Sequence, residues 1–201
     1  RRHSFPTRRS SDLDIHTVRG DWGDMPYPVV PGHEIIGRVL EVGDKVTRHK
    51  VGDLVGVGVI VKSCGECENC LDGDDHFCQG PTGPLLTFGE ADPYTPGSFT
   101  QGGYSREIVT TEKFVYRIPE NLDKAAAAPL LCAGITVYSP LKHWGAGPGK
   151  TVGVVGIGGL GHMAVKFAHA LGAHTVAMTS SPEKVALGKS LGADEVLVTS
   201  D

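Results

Sequence analysis

Hydrophobic and polar positions alternate in short β-prone runs over the first part of the chain and shift to helical spacing in the second. Ile35–Val42, Asp53–Lys62 and Tyr104–Val109 read as strands, with turns at Gly43-Asp44 and Gly52-Asp53. Short strands with Gly, Pro and Asp turns at this spacing predict a small barrel or sandwich. Asn121 to Trp144 has helical character: Asn121 is a candidate cap, Ala125–Ala128 a strong helix-forming run, and Pro129 and Pro140 candidate helix starts or breaks. From there the order becomes strand, helix, strand, helix, strand. Thr151–Val155 is the first strand, and Ala164, Val165, Ala168 and Leu171 form an apolar helical face. His174–Met178 is the second strand, followed by a helix with Ser181 as cap and Pro182 and Glu183 in its first turn. Glu195–Val198 begins a third strand. The pattern predicts a mixed β and α/β chain in three parts: 1–13 a basic, Ser-rich arm, 14–120 a β lobe, and 121–201 the first part of a doubly wound parallel sheet. A complete sheet of that kind has six strands, so the chain is expected to be a fragment of a longer protein.

Between the first strand and its helix stands Gly156-Ile-Gly158-Gly159-Leu160-Gly161. A G-x-G-x-x-G run carries little weight alone and much more between a strand and a helix. Gly156 permits the tight turn, Gly158 lets backbone approach a pyrophosphate, and Gly161 lets the helix pack close on its strand. The helix N-terminus presents free N–H groups to the phosphates. An NAD site places an acid at the tip of the next strand. Here that tip reads Thr179-Ser180-Ser181, followed by Lys184, and small hydroxyls with a lysine suit a 2′-phosphate. The expected dinucleotide is NADP(H).

Cys64-x2-Cys67-x2-Cys70-x7-Cys78 packs four thiols into fifteen residues. Four soft ligands on a tight loop suit tetrahedral Zn2+ with no open position, hence a structural site. The alternatives are disulfides or free buried thiols, and an odd total of five cysteines argues against full pairing. A nucleic-acid-binding zinc ribbon is a rival class. The acidic rim of Glu66, Glu68, Asp72, Asp74 and Asp75 and the net charge of −4 both oppose it. No apolar run is long enough to span a membrane, so no membrane partner is expected.

Taken in order, Gly32-His33-Glu34, the four-cysteine loop, Pro129-Leu-Leu-Cys132-Ala-Gly-Ile-Thr136 and the glycine turn resemble the zinc-dependent medium-chain alcohol dehydrogenases. That family joins a GroES-like barrel to a Rossmann domain. The Pro129–Pro140 run is closest to the cinnamyl-alcohol-dehydrogenase branch, which includes NADPH-dependent aldehyde reductases. The resemblance implies hydride transfer between NADP(H) and a primary alcohol or aldehyde at a catalytic zinc. It implies His33 and Cys132 as ligands of that zinc, Glu34 as a residue that tunes or joins it, and Asp14 as the carboxylate holding the histidine. It further implies His16 as a proton carrier, Trp22 as a pocket wall, and Thr136 among the cofactor contacts. A cytoplasmic homodimer is implied for the whole protein. A zinc-free quinone reductase of the same fold is the alternative enzyme, and an inactive fragment keeping only the structural zinc is the alternative outside enzymes.

The chain departs from the family at its start. Aligning Asp14-Ile15-His16 puts Ser11, Asp12 and Leu13 where the family has Cys, His and Ser/Thr, so the first catalytic zinc thiolate and the hydroxyl that starts the proton relay are missing. The segment SFPTRRSSDL resembles translated sequencing-adapter read-through. A transit peptide and a disordered arm are the other readings of this basic, Ser-rich stretch. A zinc-site variant using Ser11, Asp12 or Asp14 as substitute ligand is the competing account.

Overall fold

A computed structural model describes residues 12–21, 23, 25–81, 83–92 and 95–199. The described residues fall into two compact units, Leu13–Cys132 and the stretch beginning at Ala133.

The first unit opens with helix α1 (Leu13–Arg19) and carries a short helix α2 (Glu68–Leu71). Its main sheet is antiparallel: β1 (Ile35–Arg38), β2 (Leu54–Val57) and β5 (Val115–Arg117), with β2 central. A second ribbon pairs β3 (Ile60–Lys62) with β4 (Leu85–Leu86). Val55, Val57 and Val115 are buried against Ile35, Val39, Val61 and Ile108. The expected strand 35–42 ends at Arg38, and the expected strand 53–62 is two strands interrupted at Gly58-Val59. The expected strand 104–109 is irregular. Its neighbouring N–H groups are spent elsewhere: Gly102 donates to Val30, Gly103 to Gly32 and Tyr104 to Pro31. The run's first residue is thereby paired with the segment before His33 and not with a neighbouring strand.

Residues 121–132 pack with this first unit, whereas the pattern suggested a junction at 120/121. Two glycines of the β2 region explain the contact. A Cβ on Gly56 would lie 2.6 Å from Leu131 Cδ1, and one on Gly58 would lie 2.6 Å from the Leu131 carbonyl oxygen. The bare backbone therefore admits the segment that ends at Cys132. Helix α3 (Lys124–Ala127) is capped by Asp123, not Asn121: Asp123 Oδ1 accepts from the Ala126 N–H at 2.8 Å. Pro129 starts a 3-10 turn over Ala128–Leu131, where its missing N–H costs little.

The second unit begins with α4 (Ala133–His143), which runs a further turn past Pro140 instead of breaking there. Packing against α5 (Gly159–Ala170) supports it, with the Tyr138 and Phe167 rings in an edge contact at 5.5 Å. Strands β6 (Thr151–Val155), β7 (His174–Thr179) and β8 (Glu195–Val198) form a parallel sheet in that order. Its crossovers are α5 and the pair formed by a 3-10 turn at Pro182–Lys184 and α6 (Val185–Ser190). Val154, Ile157, Val165, Ala177 and Ala193 form the buried core. Ser181 occupies the cap position, but its side chain makes no cap bond; its N–H donates to Thr179 Oγ1 at 3.1 Å. No helix among the described residues is long and apolar enough to cross a membrane.

Candidate metal and dinucleotide sites

Cys64, Cys67, Cys70 and Cys78 bring their sulfurs within 4.8 Å of one another, and none is disulfide-bonded. Cys64 and Cys70 Sγ lie 3.8 Å apart. A tetrahedron with metal–sulfur bonds of about 2.3 Å requires a sulfur–sulfur edge of about 3.8 Å, whereas a disulfide requires about 2.05 Å. The loop is built to stabilise thiolates. Backbone N–H groups of Cys64 and Gly80 donate to Cys78 Sγ, that of Cys67 to Cys64 Sγ, and that of Gln79 to Cys67 Sγ, at 3.3–3.4 Å. The Gln79 amide in particular draws the Cys67 thiol down to about 6, while burial pushes Cys70 up to about 12. A cation among them would remove that conflict by holding all four deprotonated. Gly80 makes the closure possible, since a Cβ there would sit 2.7 Å from Cys64 Cβ. Beside the loop, buried Asp75 accepts from Ser63 Oγ at 2.6 Å and Lys113 Nζ at 2.8 Å.

A second group lies in the same unit. His33, Glu34 and Cys132 place a nitrogen, a carboxylate oxygen and a sulfur within 4.8 Å of one another. They come from the residues just before β1 and from the end of the segment that Gly56 and Gly58 admit. His33 is 2 % exposed, and its Nε2 is buried with no hydrogen-bond partner among the described residues. An orphaned ring nitrogen facing a thiol and a carboxylate is what a metal ligand looks like before its ion is added. On the other side of the ring, Nδ1 lies 3.0 Å from Asp14 Oδ1. Burial alone would depress the imidazole, but Asp14 and the nearby Cys132 raise it to about 10. Metal binding at Nε2 would displace that proton.

Asp14 is not a member of the converging trio. Its Oδ1 also accepts from the Gly32 N–H at 3.0 Å, and its Oδ2 accepts from Tyr104 Oη at 3.1 Å. His16 is likewise outside the trio; its Nδ1 pairs with Asp21 Oδ2 at 2.7 Å. Trp22 and Ser11 lie outside the described residues. Next to His33 is a cavity of about 330 Å³, walled by Met25, Val59, Leu86 and Phe88. Its threonines are internally satisfied: Thr17 Oγ1 donates to Leu13 and Thr87 Oγ1 to Gly58.

In the second unit the glycine turn has three distinct geometries. Gly156 has φ 86°, a left-handed value that favours glycine. A Cβ on Gly158, at the N-cap of α5, would meet nothing within 4 Å. One on Gly161 would sit 2.9 Å from the Gly156 carbonyl carbon and overlap its oxygen. The turn thus leaves a backbone-lined opening at Gly158 and closes tightly at Gly161, which fits a pyrophosphate cradle. Gly159 and Leu160 continue into α5. Thr179 is buried at the end of β7, Ser180 is exposed and Ser181 half-buried. Lys184 Nζ donates to the Ile157 carbonyl at 3.2 Å, which sets the lysine against the turn. Thr136 is exposed on α4 and lines a hollow of about 550 Å³ with Lys150, Val152, Leu160 and Gly161.

The pattern had not singled out Gln101–Tyr104, Ser63 or Lys113. The Gly102-Gly103 pair was the available signal, because adjacent glycines at the edge of a β-prone run mark close backbone approach.

An antiparallel lobe with a four-thiol loop and a histidine–cysteine group, followed by a parallel sheet with an open glycine turn, defines a two-part metal- and dinucleotide-binding protein. Comparison with known proteins narrows that class. Residues 9–120 match the alcohol dehydrogenase GroES-like domain and residues 159–201 the zinc-binding dehydrogenase domain. The chain belongs to the zinc-dependent medium-chain alcohol dehydrogenase family, in the branch of cinnamyl alcohol dehydrogenases and aldehyde reductases. It is 58 % identical to aldehyde reductase YahK of Escherichia coli over 92 % of this chain and 52 % of that protein. It is 56 % identical to NADP-dependent alcohol dehydrogenase C 1 of Mycolicibacterium smegmatis over 94 % of this chain and 53 % of that one. Among solved structures, cinnamyl alcohol dehydrogenase SbCAD4 of Sorghum bicolor aligns with a TM-score of 0.86 at 49 % identity, covering 95 % of this chain and 54 % of its own. The Helicobacter pylori enzyme complexed with NADP(H) aligns at 0.85 and 40 % identity, covering 93 % and 53 %. The chain spans about half the length of these relatives.

Proposed function

We propose that this chain carries the metal-binding lobe and the opening of the cofactor lobe of a zinc-dependent, NADP(H)-dependent alcohol dehydrogenase or aldehyde reductase. The observation that carries the proposal is the convergence of His33, Glu34 and Cys132 around an unpartnered, buried Nε2. A zinc ion held there would supply Lewis acidity toward a substrate oxygen, and a bound nicotinamide would supply or accept the hydride. The chain's own groups do the rest. Asp14 takes the Nδ1–H of His33 and so keeps the Nε2 lone pair aimed at the trio. Glu34 adds a carboxylate beside it, and Cys64, Cys67, Cys70 and Cys78 would hold a second, structural zinc. His16, paired with Asp21, is the proton carrier to solvent in this reading.

The apolar walls beside His33 suit the body of an aldehyde or primary alcohol, including an aromatic one. On the cofactor side, the α5 N-terminus and the Gly156–Gly161 turn receive the pyrophosphate, with Thr136 among the contacts. Thr179, Ser180, Ser181 and Lys184 favour a 2′-phosphate, because no carboxylate stands at the β7 tip to repel it. The names of the Mycolicibacterium relative and the Helicobacter complex support the same cofactor. The reducing cytoplasm that keeps such thiols free, and a homodimer of the whole protein, belong to this proposal through the family resemblance.

The test is zinc per chain by elemental analysis on purified protein. Two zinc ions per chain, falling to one in Cys132→Ala and again to one in Cys67→Ala, is the expected result. A single ion that Cys132→Ala leaves in place would overturn the catalytic-site reading.

A further inference from the structure

We propose that Gln101–Tyr104 is a positioning strap for the metal-facing histidine, and that the Tyr104 hydroxyl acts by fixing Asp14. The proposal rests on His33, Glu34 and Cys132 being a metal site. The strap reaches the His33 turn across some seventy residues of sequence. Gln101 Oε1 accepts from the Val30 N–H at 2.7 Å. The N–H groups of Gly102, Gly103 and Tyr104 donate to the carbonyls of Val30, Gly32 and Pro31 at 2.6, 2.9 and 3.0 Å. Two extended segments are thereby laced together immediately before His33.

The packing permits no side chains at the crossing. A Cβ on Gly102 would stand 2.5 Å from the Gly32 carbonyl oxygen, and one on Gly103 2.7 Å from Ile35 Cδ1. Gly32, at φ 110°, would meet the Tyr104 nitrogen at 2.8 Å. Glycines on both sides of a contact, each needed for the other's approach, indicate a surface shaped for this pairing.

The last residue of the strap then turns to the carboxylate. Asp14 Oδ1 receives His33 Nδ1 and the Gly32 N–H, while Oδ2 receives Tyr104 Oη. A carboxylate held on one oxygen alone can rotate about χ2. Held on both, it presents Oδ1 to the imidazole in one orientation, and the ring plane follows. The Tyr104 side chain is otherwise 72 % exposed, so its hydroxyl can be removed without opening a core. A positioning role and a packing role are separable at this residue.

The experiment compares wild type, Tyr104→Phe, Asp14→Asn and the double variant as full chains. The readouts are metal stoichiometry, competition of each ion against a chromophoric chelator, and the visible spectrum of the Co2+-substituted protein. Loss of a partner that orients a ligand lowers metal affinity about 10–100-fold. Tyr104 stands one bond further out, and about a 3–10-fold loss is expected at the His33 site, with shifted Co2+ ligand-field bands. The four-thiol ion should be held as in wild type, which doubles as the folding control. In the Asp14→Asn background, Tyr104→Phe should have no additional effect. Unchanged affinity and bands in Tyr104→Phe, or a loss that adds in full to that of Asp14→Asn, would overturn the strap. Wild type binding one ion only would overturn the metal site and the strap with it, and wild-type stoichiometry separates that failure from the strap's own.

Discussion

Two glycines three residues apart in the same turn should respond in opposite ways to the same methyl group. At Gly158 the backbone is extended, φ −111° and ψ −154°, a conformation open to alanine. The added Cβ meets nothing within 4 Å. Gly158→Ala should therefore leave stability unchanged or raise it by about 0.4–1 kcal/mol through the unfolded chain. At Gly161, inside α5, alanine would gain about 0.5–1 kcal/mol of helix propensity. Against that gain stands a methyl 2.9 Å from the Gly156 carbonyl carbon, with the oxygen nearer still. The obstacle is backbone, so no rotamer change relieves it, and α5 must lift from β6. Overpacking costs about 1–3 kcal/mol even where side chains can shift, so a net loss of about 2 kcal/mol or more is expected. In a unit of this size that lowers Tm by roughly 10 °C or more. Binding should divide the other way. The space that Gly158 leaves open is where the pyrophosphate is proposed to lie, so Gly158→Ala should weaken NADP+ about tenfold or more, equivalent to about 1.4 kcal/mol. Thermal melts followed by circular dichroism, with calorimetric titration of NADP+, measure both quantities. Gly158→Ala binding like wild type would refute the cradle, and Gly161→Ala melting like wild type would refute the close approach.

Two further outcomes follow from the first unit. Lys113→Met leaves the buried Asp75 carboxylate with Ser63 as its remaining partner named above. Breaking a fully buried pair costs about 3–5 kcal/mol, but the Lys113 side chain is 48 % exposed, so about 1 kcal/mol is expected in urea denaturation of the zinc-loaded protein; no loss would mean that the pair contributes nothing net. The Glu112 carboxylate accepts from the Arg48 and Thr47 N–H groups, and these bonds, Arg48 first, hold it below its ordinary 4.5. A lowered folded pKa gives stability that is present above the unfolded value and lost as pH falls through the folded one. Glu112→Gln should thus melt below wild type at neutral pH, with the two curves converging below pH 4.5; a gap that persists or widens in acid would contradict the assignment.

Features set by local chemistry were legible in the chain. The strand–turn–helix at 151–170 needs only β-prone residues, three spaced glycines and a helical apolar face, and it forms where the pattern puts it. The four-cysteine loop is similar, because bringing together ligands within fifteen residues closes only short loops, at small entropic cost. What the pattern could not give depends on contacts between distant segments. Asp123 wins the α3 cap over Asn121 because its carboxylate lies three residues before the Ala126 N–H, a choice of one turn among polar neighbours. The run 104–109 has strand composition, yet it begins at Tyr104, whose N–H, like those of Gly102 and Gly103 before it, is committed to a residue some seventy positions earlier. Cys132 reaches His33 because Gly56 and Gly58 lack the atoms that would hold Leu131 away. In periodicity those two glycines are merely weak positions in a strand. Their meaning is supplied by Leu131 and the strand together, and no window of sequence short enough to show a period contains both. The same holds for Tyr104 and Asp14, ninety residues apart. The parts of the candidate metal site that sequence hides are therefore those that set its geometry, and the parts it shows are those that name its ligands.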